Sequence, residues 1–110
     1  MARKFFSVVL LALVLVLVNA GSQAEAGTRY VGSYSDGSDV YLLTHTVYIQ
    51  SRRPYTFSCD VSAAGAYRHY SFFPANGSPY YRNSEGYEGY VFGGQSPVAE
   101  NIYRYVVDNY

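Results

Sequence analysis

His45, His69 and Cys59 carry the chemistry of neutral-pH catalysis in this chain: two imidazole bases and the only thiol. A histidine beside a cysteine generates a thiolate nucleophile, so Cys59 with His45 or His69 is the one thiol-hydrolase constellation the composition allows. It requires His45 and Cys59 to share a face of neighbouring strands. That follows if Val40–Ile49 keeps a single register, with Leu43, His45, Val47 and Ile49 on one side. A thiol hydrolase also needs an oxyanion hole and a cleft, for which the chain is short. A cysteine in the middle of an apolar strand face reads more simply as a small buried hydrophobe. The expectation is a chain without catalytic residues.

Metal and carboxylate chemistry find no better support. Zinc sites draw on close sequence pairs of ligands, and here there is neither a Cys-x-x-Cys nor a His-x-x-x-His pair. Asp36 and Asp39, with Ser35 and Ser38, loosely resemble an oxygen-rich calcium loop but lack its length and its terminal bidentate acid. Asx-type turn chemistry accounts for them. Glu85 and Glu88 could pair for sugar hydrolysis, but nothing fixes their separation and they read as a solvated turn. Asn76-Gly77-Ser78 has the spacing of a glycosylation acceptor, with Pro79 directly behind it, and is discounted. No metal and no cofactor is expected.

Tyrosine is the residue that stands out. The chain has 14 tyrosines and no tryptophan. Beyond residue 26 it has no methionine, no lysine, and leucine only at Leu42 and Leu43. Aromatic rings must therefore do the packing that leucine does elsewhere, with each hydroxyl seeking a partner or water. The stretch Tyr80–Phe92 concentrates Tyr80, Tyr81, Tyr87 and Tyr90 with Arg82 among glycines and glutamates. Rigid amphipathic rings beside glycine suit a flat partner, such as a sugar or an extended peptide. Tyr80, Tyr81, Arg82, Tyr87 and Tyr90 are accordingly the candidate binding residues, against the simpler reading that they form the core of a leucine-poor domain.

The elements that would hold them read as a β-meander. Tyr30–Tyr34 is a first strand, closed by the turn Ser35-Asp36-Gly37-Ser38-Asp39. Val40–Ile49 is a long strand. Tyr55–Val61 alternates strictly, with Tyr55, Phe57, Cys59 and Val61 on one face and Thr56, Ser58 and Asp60 on the other, as a sheet with one buried side requires. Ala63-Ala64-Gly65-Ala66 turns the chain into Tyr67–Phe73, which carries rings on both faces. Pro74–Pro79 reads as a loop. Tyr80–Arg82 and Tyr87–Phe92 pair around Asn83-Ser84-Glu85-Gly86. The period then changes: Ser96 is an N-cap and Pro97 a first helical residue. Val98, Ile102, Tyr105 and Val106 form an apolar stripe, and Glu100, Arg104 and Asp108 a solvated one.

Residues 1–26 have another character. Arg3 and Lys4 precede an apolar run from Phe5 to Val18, interrupted by Ser7, and Ala24-Glu25-Ala26 offers a small-x-small cleavage site. That is the layout of a secretory signal peptide, with a run of about 14 residues against the roughly 20 of a membrane span. Cleavage at Ala24-x-Ala26 predicts a mature single domain, 27–110. It carries six arginines against seven acids, which argues against nucleic acid or an anionic membrane as partner. One cysteine permits no internal disulfide, although small exported domains commonly use them.

Tyr30-Val31-Gly32-Ser33-Tyr34 with Asp36-Gly37, and Asn83-Ser84-Glu85-Gly86-Tyr87-Glu88-Gly89-Tyr90, make the chain resemble short exported proteins that many anaerobic bacteria encode in several copies. The resemblance implies secretion and a bacterial source, and no activity or site residues. The expected molecule is a small α+β domain with four to six antiparallel strands in a meander and one C-terminal helix. Its expected role is that of an exported, non-catalytic interaction module in the periplasm or outside the cell, with a glycan or an envelope protein as partner. The alternatives are a small enzyme inhibitor or an envelope structural protein, and more remotely the thiol hydrolase.

Overall fold

The computed structural model describes residues 27–110; the expected signal peptide, 1–26, with Ala24 and Ala26, lies outside the described residues. Six strands follow one another: β1 (Thr28–Ser33), β2 (Asp39–Arg52), β3 (Tyr55–Ala63), β4 (Ala66–Ala75), β5 (Ser78–Asn83) and β6 (Glu88–Tyr90). They form one antiparallel sheet in chain order, so every connection is a hairpin, and the helix α1 (Pro97–Asn109) closes the chain. The sheet is curled, and with its C-terminal helix it is the small α+β meander that the periodicity predicts.

Turn chemistry sets the hairpins. Ala64-Gly65 and Asn76-Gly77 are two-residue connections in which both residues have positive φ: 51° and 79° in the first, 53° and 80° in the second. Such turns match the twist of the strands they join. The second of them shortens the expected loop 74–79 to its two central residues, with Pro74 and Pro79 standing opposite each other within β4 and β5. In a two-residue hairpin the pair next to the closing pair is not hydrogen-bonded, so neither proline costs this ladder a bond. The β3–β4 ladder runs only as far as Phe57 opposite Phe72, so Pro74 falls outside it as well.

Alternation then separates two faces. Phe57, Cys59, Val61 and Ala63 of β3 are buried together with Val40, Leu42, Tyr70, Phe72 and Tyr81, while the residues between them are more open. Against this face lie Val98, Ala99, Ile102 and Val106 of α1. The Ser96 hydroxyl caps the helix by accepting from the Ala99 amide at 3.1 Å, and Glu100 pairs with Arg104 at 3.0 Å on the solvent side. Rings supply the largest side chains of the core, Tyr70, Phe57 and Phe72. Phe57 and Phe72 stack at 4.5 Å, and Tyr103 of the helix sits over both at about 6 Å. The Tyr70 hydroxyl, buried in this layer, meets that of Tyr34 at 2.8 Å. Burial, and then that hydrogen bond, push the Tyr70 hydroxyl well above the ordinary tyrosine range.

The long strand β2 departs from a single register. Leu43 pairs with Asp60 and Tyr48 with Ser58, so Thr44–Val47 bulge out opposite Cys59 alone. Thr46 makes this possible. Its hydroxyl donates to the Leu43 carbonyl at 2.6 Å and accepts from the Asp60 amide at 2.8 Å, taking the place of ladder bonds. Ordinary alternation before the bulge buries Leu42 and leaves Leu43 on the other face beside Asp60; the shift then turns Ile49 inward opposite Phe57 and exposes His45 in the bulge.

Candidate functional site

Among the described residues, no helix lies over the second face of the sheet. Its side chains come from the alternate positions of each strand: Tyr30, Tyr41, Ser62 and Tyr67 across one end, and Phe73, Tyr80 and Tyr90 across the other. Ser58, Ser71, Arg82 and Glu88, with Asp60 and His69, lie between. Serines in the middle, rings at both ends and Tyr48 at the edge beside Ser58 give an amphipathic surface.

The ring cluster on β4–β6 is the best built part. Phe73 and Tyr80 are cross-strand neighbours with ring centres 5.6 Å apart, and Tyr80 meets Tyr90 edge-on at 5.0 Å. Polar groups brace them. The Tyr80 hydroxyl donates to Glu88 at 3.0 Å and Arg82 donates to the same oxygen at 3.2 Å, while the Arg82 guanidinium also lies 5.6 Å from the Phe73 ring centre. Asn76, in the β4–β5 turn, donates to the Tyr90 hydroxyl at 2.8 Å. The Tyr80 hydroxyl, then Arg82, hold the Glu88 carboxyl below its ordinary range, and the same hydrogen bond raises Tyr80. A shallow hollow of about 270 Å³ adjoins the cluster, lined by Ser78, Pro79, Tyr90, Phe92 and Gly93.

Of the five candidate residues, the structure brings Tyr80, Arg82 and Tyr90 together on this face. Tyr87 is exposed in the preceding turn. That turn is organised by the buried side chain of Asn83, whose Oδ1 accepts from the amides of Glu85 and Tyr87 at 3.0 and 3.1 Å. Tyr81 belongs elsewhere. Alternation turns it inward, where it is 4% exposed and stacks with Tyr70, so it is a core residue and cannot meet a partner. Phe73 and Asn76 join the cluster with no signal in the sequence, because only the β4–β5 register sets them beside Tyr80 and Tyr90.

The thiol constellation is not assembled. Cys59 is 1% exposed beneath the helix, and burial pushes its thiol up to about 12, far from a thiolate at neutral pH. His45 is exposed in the β2 bulge, and His69 projects from the opposite face, where its Nδ1 lies 2.7 Å from Asp60 Oδ1. An aspartate-oriented imidazole is the base half of a catalytic triad, but the hydrogen bonds of this ring reach no nucleophile among the described residues. No group of three histidine, cysteine or acidic side chains able to hold a metal ion occurs among the described residues. Comparisons with protein-family models, curated proteins and solved structures found no match.

Proposed function

We propose that this chain is an exported binding module that acts without catalysis and takes a carbohydrate on the open face of its sheet. The observation that carries the reading is the Phe73–Tyr80–Tyr90 cluster: three adjoining rings on an uncovered face, with Asn76, Arg82 and Glu88 at their margins. The C–H-rich face of a sugar ring packs on such aromatics, and its hydroxyls need a few placed donors and acceptors at the edge.

Of the two partners that suit tyrosine-rich surfaces, the two terminal strands of the sheet favour the sugar. An extended peptide adds as a strand to an open edge. Here β6 is three residues long, and on β1 the Val31 carbonyl is taken by Asn101 of the helix at 2.9 Å. Export rests on the leader in residues 1–26. It is compatible with the described sheet, since cleavage after Ala26 leaves every described strand, from Thr28 onward, whole. The destination would be the periplasm or the exterior.

Nitration read by mass spectrometry tests the site. With peptidoglycan fragments or β-linked oligosaccharides present, nitration of Tyr80, Tyr87 and Tyr90 falls while that of Tyr67, at the far end of the same face, is unchanged. Tyr90→Ala abolishes retention on the insoluble glycan and leaves thermal unfolding intact. Equal nitration with and without every glycan offered would reject the reading.

A further inference from the structure

We propose that Tyr80 and Tyr90 form an intramolecular dityrosine, a covalent link that fastens the edge strand β6 to β5 under one-electron oxidation. Four observations converge on this pair. First, Tyr80 and Tyr90 are direct cross-strand partners, and the amide of Val91 donates to the carbonyl of Pro79 at 3.0 Å, which makes theirs a non-hydrogen-bonded pair. In such pairs the two backbones approach most closely and the side chains lie nearest each other. Second, the rings already meet edge to face at 5.0 Å, closer than the other cross-strand tyrosine pair on this face, Tyr30 and Tyr41 at 5.6 Å.

Third, the phenol of Tyr80 donates to the Glu88 carboxylate at 3.0 Å. Removing an electron from a phenol makes its proton strongly acidic, so a carboxylate already holding that proton is the group needed to receive it. Fourth, little else on the surface competes. The chain has no tryptophan, its one methionine is Met1, and its one thiol is buried beneath the helix. Exposed oxidisable side chains among the described residues are therefore chiefly tyrosines.

The oxidant is a haem peroxidase with hydrogen peroxide. Each of the two phenols loses one electron and its hydroxyl proton, that of Tyr80 passing to Glu88. The two phenoxyl radicals couple through one ortho carbon each, forming a carbon–carbon bond. Each ring then releases its ortho hydrogen as a proton while its phenolic oxygen is reprotonated, which restores both aromatic rings. Two electrons and two protons leave the pair in all, and one hydrogen peroxide takes them up to become two waters. The link stands where a small exported domain would ordinarily have a disulfide, which a single cysteine cannot supply.

The test treats the purified full chain, dilute enough to suppress collisions, with horseradish peroxidase and hydrogen peroxide. Trypsin then cuts after Arg68, Arg82 and Arg104 and so parts Tyr80 from Tyr90. The expected result is dityrosine fluorescence in the monomer fraction, with one product joining peptides His69–Arg82 and Asn83–Arg104, two hydrogens lighter than their sum. Fragmentation places the bond between Tyr80 and Tyr90. Tyr80→Phe and Tyr90→Phe each lose this product, while in a parallel reaction at high protein concentration intermolecular links through exposed Tyr48, Tyr67 and Tyr87 still form and show that the oxidant acts on each variant. Links found only between molecules, or a monomer link that survives both substitutions, would overturn the proposal.

Discussion

At the scale of single residues, environment decides what each titratable group does. Cys59 fills a gap among Phe57, Val61 and the helix, and its raised pKa is the price of that burial. Native thiol titration at neutral pH should therefore show no reaction, with full reaction after unfolding. Fast labelling of the native protein would contradict the buried placement. Glu88 behaves in the opposite sense. Because its folded pKa is depressed, its contribution is fully present above the ordinary glutamate value of 4.5 and fades as pH falls through the lower folded value. Carboxyl NMR titration should place its midpoint below 4.5, and Tyr80→Phe should move that midpoint upward by removing the largest cause of the depression. No change on that substitution would show that Tyr80 does not hold the carboxylate.

At the scale of elements, turns and one hydroxyl decide registers. Ala64 occupies a left-handed position, φ 51°, that costs a residue with a Cβ about 1 kcal/mol or more, whereas asparagine tolerates it. Ala64→Asn should accordingly raise stability by about 1 kcal/mol, measured as a higher urea midpoint at constant m-value. A lower midpoint would mean that this hairpin is not under the strain its dihedral implies. The β2 bulge has a similar local cause. Thr46 satisfies two backbone groups that the interrupted ladder leaves open, and so it helps to set on which faces Tyr48 and Ile49 emerge after the bulge.

At the scale of the whole molecule, one layer of rings joins sheet and helix. Phe72 touches this layer from every side, stacked on Phe57 and Tyr70 and in contact with Tyr81 and Tyr103. Phe72→Ala should cost about 3–5 kcal/mol, much of what a domain of this size has to lose. Tyr67, 74% exposed on the other face, provides the contrast: Tyr67→Ala should change stability by no more than about 0.5 kcal/mol. Equal effects in chemical denaturation would mean that the two faces are not divided as described. The uncovered face is also where an unmatched fold can carry function, since the helix occupies only one side.

The amino-acid sequence by itself determined the meander, the inward face of β3 with Cys59 at its centre, and the capped terminal helix. Those depend on short-range rules: alternation, turn residues and the Ser96-Pro97 start act within a few residues and survive any packing. It did not determine which tyrosines face outward, because Tyr80 and Tyr81 are chemically alike and only the pairing of β5 with β4 and β6 sorts them. Nor did it reveal that Leu43, His45, Val47 and Ile49 do not share one face, with Leu43 outward, His45 exposed in the bulge, and Val47 and Ile49 against the core, since the slip arises where Thr46 replaces ladder bonds with its own. The meeting of Phe73, Tyr80, Tyr90 and Asn76 was decided by tertiary structure alone. A surface is a property of register and covering, and both are settled between strands, across distances that local pattern does not span.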